Sequence, residues 1–377
     1  MKKIFTLVLM AVVLVGCNSK KTPEELFNRM SSGVVVVLNE YYYEMQLPNG
    51  NSIFFTGISD DGQLENFTAN EEEARKNRQM LTGTAFFINK EGLLMTNRHV
   101  ADPVIDKVQA RQSLINVLNT VKQLCYARMY ELKDQYETLQ AEKASCTYYD
   151  YYGYEQTDYD KLNEINQQQQ LLQQEFEEVK GTADGIDDNI DPEGIHIKAV
   201  CELGIAYNNT FVTTDKDFLD KNPCVVVRTS DKEDVDLALI QLKNKKTPED
   251  SYIFPSPGED MKAETLGEKI AYLFKNNDKD KKLTIDETLY MIGYNAGLVL
   301  ANTKQGIKVQ MTSGKVTQLP DGQRLLYSIP TMQGSSGSPV IDERGRLVAV
   351  NFAKLTGTDN FNFGIPAERV KEFLLRK

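Results

Sequence analysis

The chain has 377 residues, 41% apolar and 26% charged, with a formal net charge of −11. That length supports one large globular domain or two modest ones with real cores, and the composition is that of an ordinary globular protein. The acidic excess argues against nucleic acid as a partner, because no basic surplus exists to displace phosphate counterions; past the first residues no apolar run approaches the ~20 residues of a spanning helix.

Lys2 and Lys3 precede an apolar run over 4–15, the length of a signal-peptide core and too short to cross a bilayer. The run closes in Leu14-Val15-Gly16-Cys17, which resembles a bacterial lipobox. The resemblance implies a leader over 1–16, cleavage before Cys17, lipidation of that cysteine, and a lipidated tether over 17–26. It places the protein in the bacterial cell envelope, held to a membrane by its acyl chains. Asn18 stands where an aspartate is linked to inner-membrane retention, which favours the outer membrane, facing the periplasm or the cell surface. An ordinary secretory signal with a stray cysteine is the competing reading.

Thr22-Pro23 opens a short helix over 24–30. Residues 33–39 are β-branched and predict a strand, 48–51 a turn, and 71–79 a charged surface helix or loop. Strands over 83–89 and 93–97 flank the Lys90-Glu91-Gly92 turn and end at Arg98-His99-Val100. The texture then changes. Residues 103–143 contain no glycine and no proline after Pro103, while Cys125, Met129, Leu132, Tyr136 and Leu139 recur at spacings of 4, 3, 4 and 3. Leu162, Ile165, Gln169, Leu172, Phe176 and Val179 repeat the pattern, and six tyrosines fall between the two stripes. Heptad stripes of this kind predict an antiparallel helical hairpin with a tyrosine-rich tip, a unit over 103–190 that ends in an acidic linker. Strand-like runs resume at 195–207, 224–229, 237–242, 288–292, 308–311, 325–329, 340–341, 347–352 and 361–365, before a closing helix over 367–376. Many short strands with turn signals predict a barrel or sandwich.

Three segments carry chemistry: Thr96-Asn97-Arg98-His99-Val100, Asp236-Leu237-Ala238-Leu239-Ile240, and Gly334-Ser335-Ser336-Gly337-Ser338-Pro339. Each alone has a bland reading as a satisfied histidine, a strand-edge aspartate or a flexible loop. Together, in the order His, Asp, Ser, they resemble the T-x-x-H-V, D-x-A-L-I and G-x-S-G-x-P segments of trypsin-like serine proteases, including the HtrA/Deg class. The resemblance implies a mainly β fold of two six-stranded antiparallel barrels, built from 27–102 and 191–377. The helical hairpin is then an insertion between His99 and Asp236, which lie 137 residues apart.

The physics asks for these residue types. A serine hydroxyl is a poor nucleophile until a histidine can take its proton, and a buried aspartate fixes the tautomer of that histidine. The resemblance assigns His99, Asp236 and Ser336 these roles, and gives Gly334 and Ser336 the backbone N–H donors of an oxyanion hole. The resemblance places Asn351, Phe352 and Ala353 on the strand that in the family pairs with the substrate backbone, and Asn362-Phe363-Gly364-Ile365-Pro366 resembles a segment of the HtrA class. No acidic residue can be placed at the pocket floor, so small or apolar residues before the scissile bond are favoured. Ser335 replaces the aspartate of the digestive members, which argues against activation by N-terminal cleavage. The 41 residues after Ser336 leave no length for PDZ domains.

No metal or other cofactor is expected. His196 is read as structural. Asn276, Asp278, Asp280, Lys282, Thr284 and Glu287 fall at EF-hand spacing, but Lys281 stands where that loop needs glycine, so a solvated loop is preferred. Four cysteines besides Cys17 allow three pairings, of which Cys201 with Cys224 is favoured because both sit on apolar runs in one short region. Polypeptide substrates are the expected partners, with the helical hairpin as a candidate site for a further protein. Two other functions fit the same residues: a catalytically silent, lipid-anchored scaffold or chaperone, and a barrel esterase using the same triad.

Overall fold

Thr22 starts the first regular element through a capping box: its hydroxyl accepts the Glu25 N–H at 3.2 Å, and the Glu25 carboxylate accepts the Thr22 N–H at 2.8 Å. The computed structural model describes residues 20–187, 190–232, 234–255, 282–354 and 362–375. The leader, Cys17, and Asn276, Asp278 and Asp280 of the EF-hand-like stretch lie outside the described residues.

Helix α1 (Pro23–Met30) leads into β1 (Val34–Gln46), β2 (Ser52–Phe55), the short ladder of β3 (Gly57–Ile58) and β4 (Leu64–Glu65), and helix α2 (Glu71–Lys76). β5 (Gln79–Phe87), β6 (Leu93–Thr96) and the one-turn helix α3 (Arg98–Ala101) follow. Next come the long helices α4 (Lys107–Ala144) and α5 (Tyr159–Asp184), with the ladder of β7 (Thr147–Tyr149) and β8 (Glu155–Thr157) between them. β9 (His196–Tyr207), helix α6 (Asp215–Lys221), β10 (Pro223–Thr229) and β11 (Ala238–Leu242) return to the first sheet. The second sheet region holds β12 (Thr288–Gly293), helix α7 (Gly297–Ala301), β13 (Asn302–Thr303), β14 (Gly306–Ile307), β15 (Gln310–Gln318), β16 (Leu325–Tyr327), β17 (Pro339–Asp342), β18 (Leu347–Lys354) and β19 (Asn362–Pro366). Helix α8 (Ala367–Leu375) closes the chain's described part.

The strands form two closed, six-stranded antiparallel barrels, as the motifs implied. The first runs β1-β5-β6-β11-β10-β9 and closes by pairing β9 with β1; the second runs β12-β15-β16-β19-β18-β17. The barrels explain why β1 reads as a continuous apolar run instead of an alternating one. Val35 and Val37 point into the first barrel among Ala85, Phe87, Leu94 and Ile240. Val34, Val36 and Leu38 point the other way, into a core shared with Ile292, Tyr294, Val350 and Ile365 of the second barrel. Leu289 and Met291 of β12 line the inside of that second barrel with Val316, Leu325, Tyr327 and Val340.

The chain divides into two compact units. One comprises residues up to Tyr42, Arg75–Val104 and Ala199–Lys377, and contains the barrels. The other comprises Tyr43–Ala74 and Ile105–Lys198, and contains the helical pair. Helix α4 begins at Lys107, four residues later than the expected start, because Asp106 caps it by accepting the Val108 and Gln109 N–H groups at 3.0 and 2.9 Å. Of the two stripes, Leu132, Ile165 and Gln169 are buried, Cys125, Met129, Leu139, Leu162, Leu172, Phe176 and Val179 are half-buried, and Tyr136 is exposed. Two helices bury only one seam, so polar clamps flank it. Arg128 donates to Glu175 at 2.7 and 2.9 Å, Gln169 to Gln140 at 2.9 Å, and Lys143 to Asn166 at 2.7 Å. At the tip, Asp150 accepts the Tyr152 and Tyr154 N–H groups, each at 2.9 Å, which holds its carboxyl below the usual range.

One strand expectation shifts, and two helices are added. The run at 308–311 belongs to β15, Gln310–Gln318, whose outward residues are polar and whose only buried side chain is Val316, so no apolar run marks it. Helices α6 and α7 were not expected, although Thr214 caps α6 through a box with Asp217.

The favoured Cys201–Cys224 pairing is not formed; Cys125, Cys146, Cys201 and Cys224 are free thiols. In the β9–β10 ladder Cys224 lies opposite Leu203, which puts Cys201 on the diagonal. Diagonal neighbours sit roughly 7–8 Å apart, beyond the ~4.4–6.8 Å Cα separation of a disulfide. Burial pushes the Cys201 thiol up to about 11 and the Cys224 thiol to about 12, so both stay protonated at neutral pH. Iodoacetamide at pH 8 should therefore leave Cys201 and Cys224 unmodified in the folded protein and alkylate both in guanidinium, as peptide mass mapping would read. Rapid modification of either in the native state would contradict this placement.

Candidate active site

β6 pairs antiparallel with β11, with Thr96 opposite Ala238. The residues just past this shared end, 97–99 on one side and 235–237 on the other, therefore meet despite their separation in sequence. Asn97 stands at the N-cap position of α3 without a side-chain cap bond, and α3 carries His99 in its first turn. Asp236 holds His99 twice: one carboxylate oxygen lies 2.5 Å from the ring Nδ1, and the other accepts the His99 backbone N–H at 2.9 Å. The Asn97 side chain donates to the Asp236 carbonyl at 2.7 Å and fixes the aspartate's own backbone. A carboxylate at Nδ1 keeps the ring proton there and leaves the Nε2 lone pair available. Both side chains are partly shielded, His99 at 36% and Asp236 at 23% exposure.

The Ser336 loop is held against the same strand ends. The Thr84 N–H donates to the Ser336 carbonyl and the Thr84 hydroxyl to the Gly334 carbonyl, each at 2.8 Å, while Thr96 donates its hydroxyl to the Thr84 carbonyl at 2.7 Å. Gly334 and Gly337 have φ of +96° and +87°, a region open to glycine. There is also no room for a side chain. A Cβ on Gly337 would lie 2.1 Å from the Thr84 carbonyl oxygen and 3.2 Å from the Asn97 nitrogen, and one on Gly334 would lie 2.3 Å from the Gly297 nitrogen. Within the loop the N–H groups of Ser335, Gly337 and Ser338 are bonded to Met332, Asn351 and Ser335 carbonyls, at 3.0, 2.8 and 3.0 Å. Among the described residues the N–H groups of Gly334 and Ser336 have no acceptor. Ser336 itself is half-exposed.

Asn351 of β18 is buried, with its side chain turned toward the Ser336 loop, and Phe352 is half-buried against the Phe363 ring at 6.2 Å. The Ala353 backbone pairs with Phe363 across a bulge in β18. Before the loop, Thr331 donates to the Asn362 carboxamide oxygen at 2.7 Å, and Asn362 donates to the Ile329 carbonyl at 2.6 Å. The groups that fix 329–331 are thus neutral. Sequence reading missed Thr84, Asn97, Tyr327 and Asn362 as site-building residues, because their role is only visible once the strands are side by side.

His196 is exposed on β9. Among the described residues no cluster of three or more His, Cys, Asp or Glu could hold a metal ion, and no helix is long and apolar enough to cross a membrane. Glu287, the last ligand position of the EF-hand-like stretch, accepts the Thr284 N–H and hydroxyl at 3.0 and 3.2 Å and so caps its own turn.

Residues 194–350 match the family model of the trypsin-like peptidase domain. The matched span holds Asp236 and Ser336 and starts after His99, which the helical insertion separates from it in sequence. Comparison with curated proteins returned no match. Among solved structures, the crystal structure of the serine endoprotease from Yersinia pestis is similar at a TM-score of 0.41 and 11% identity, covering 95% of this chain and 66% of that one. The stretch that carries Asp236 and Ser336 is therefore similar in sequence to a trypsin-like peptidase domain, within a fold of two antiparallel β-barrels.

Proposed function

We propose that this protein is a serine endopeptidase that hydrolyses peptide bonds of envelope or extracellular proteins. The observation that carries the reading is the double hold of Asp236 on His99, beside a loop that offers Ser336 and two uncommitted N–H groups. His99 Nε2 takes the Ser336 proton as the hydroxyl attacks the scissile carbonyl, then returns it to the leaving amine. The Gly334 and Ser336 N–H groups receive the oxyanion, and Asp236 stabilises the imidazolium. Water repeats the sequence on the acyl-enzyme. Asn351, Phe352 and Ala353 present the strand against which the substrate backbone pairs, and the neutral surroundings of 329–331 favour small or apolar residues before the scissile bond.

Lipidation at Cys17 would hold the enzyme at the bacterial envelope, on the outer membrane facing the periplasm or the cell surface. The helical pair is the candidate site for a protein partner: it carries an open groove of about 440 Å³ lined in part by Leu139, Leu171 and Leu172. A catalytically silent scaffold working through that pair is the alternative reading.

A fluorophosphonate probe separates the two. The soluble form starting after Cys17 should be labelled, and Ser336→Ala and His99→Ala should abolish labelling. A folded parent that resists the probe would reject the peptidase reading in favour of the scaffold.

A further inference from the structure

Ser335 immediately precedes the proposed nucleophile and is only 2% exposed. Its hydroxyl donates to the Met332 carbonyl at 2.7 Å. The Asn351 side chain then closes over it: Nδ2 lies 3.1 Å from the Ser335 carbonyl and 3.1 Å from the Ser335 hydroxyl oxygen. The orientation of that carboxamide follows from its neighbours. A carbonyl can only accept, so the NH₂ must face Ser335, and Oδ1 then faces the Tyr327 hydroxyl at 2.7 Å. Tyr327 is fully buried, and its hydroxyl also lies 3.0 Å from the Phe363 carbonyl.

The Asn351 backbone grips the same loop on the other side of Ser336. Its carbonyl accepts the Gly337 N–H at 2.8 Å, and its N–H donates to the Ser338 carbonyl at 2.9 Å. One residue therefore brackets the loop from Ser335 to Ser338 with side chain and main chain together. Every group in the bracket is neutral, and the bracket ties the loop to β16, β18 and β19 of the second barrel. Among the described residues the bracket contains no ion pair.

We propose that Asn351 is a positioning residue that locks the Ser335–Ser338 loop in its working shape, so that the enzyme is set without N-terminal cleavage or an activating partner. The inference rests on the peptidase reading above. Because Asn351 also begins the stretch that presents Phe352 and Ala353, the strand that pairs with substrate and the loop that carries the oxyanion donors share one anchor. Loss of the carboxamide lets the Ser335 peptide turn, and the Ser336 N–H turns with it.

The test compares Asn351→Ala, Asn351→Asp and the parent by fluorophosphonate labelling rate and by hydrogen exchange at the Ser338 amide, which donates to the Ser335 carbonyl. The parent should label equally with its N-terminus free or extended by a tag. Asn351→Ala should label about 100-fold more slowly, the size of effect seen when one oxyanion donor is lost, with the Ser338 amide exchanging at least tenfold faster. Asn351→Asp supplies a readout that a merely structural role would not move. Its ionised carboxylate cannot donate to the Ser335 carbonyl, but its protonated form can. Its labelling rate relative to the parent should therefore rise as pH falls from 8 to 5. Labelling of Asn351→Ala within twofold of the parent, an unchanged Ser338 exchange rate, or a flat ratio for Asn351→Asp would overturn the lock. A parent that fails to label while its Ser338 amide is protected and Asn351→Ala deprotects it would sink the peptidase reading and leave the lock standing as a structural device.

Discussion

Asp236→Asn should leave both barrels folded and slow acylation of Ser336 by about 10⁴-fold. The carboxylate accepts from the His99 ring and from the His99 backbone at once. A carboxamide can keep only one of these as an acceptor. With its oxygen on the backbone N–H, its NH₂ faces Nδ1 and drives the ring proton to Nε2. That tautomer cannot take the serine proton. The size of the substituent is unchanged, so the melting temperature should move little while the labelling rate collapses. Stopped-flow or gel-based labelling against the parent measures the effect, and a loss smaller than tenfold would mean that Asp236 does not orient His99 as the proposed base.

Asp342→Ala should destabilise the protein by about 3–5 kcal/mol, the cost of leaving one partner of a buried ion pair alone. Asp342 ends β17, and its side chain is 1% exposed, against 9% for Arg346. One carboxylate oxygen accepts Arg346 Nε at 2.7 Å, and the other accepts the Arg344 and Arg346 N–H groups, each at 2.9 Å. The alanine thus strands a guanidinium and two turn donors together. Because β17 follows directly on the Ser335–Ser338 loop and β18 carries Asn351 against it, labelling should fall with stability. Denaturant unfolding reads the first effect. Adding Arg346→Met to the alanine variant should recover part of the loss, since it removes the stranded charge. A shift under 1 kcal/mol for Asp342→Ala would show that water reaches Arg346 and that the pair is not sealed.

Much of this architecture is legible in the chain. Thr22-Pro23 marks the start of α1 through capping chemistry, and the spacing of Leu132, Ile165 and their neighbours marks the helical pair. Both signals are local, because caps and heptads act within a turn or two of helix. The order of His99, Asp236 and Ser336 is legible as well, because each sits in a short segment with its own backbone demands. The positive φ values of Gly334 and Gly337 are where those demands are met.

Other features depend on which strands lie side by side. β15 carries one buried side chain, so its length comes from the ladders with β12 and β16 and not from its own pattern. The register of β9 against β10 puts Leu203, not Cys201, opposite Cys224, and a slip of two residues is invisible to a count of cysteines. Thr84 bonds the Ser336 loop across 250 residues of chain, and Asn351 meets Ser335 from a neighbouring strand. The sequence by itself marked the residues proposed for the chemistry and the start of α1, since those depend on side-chain type and on neighbours a few positions away. Only the tertiary structure decided what orients those residues, since a hydrogen bond between strand ends exists only when closed barrels bring distant backbone within about 3 Å.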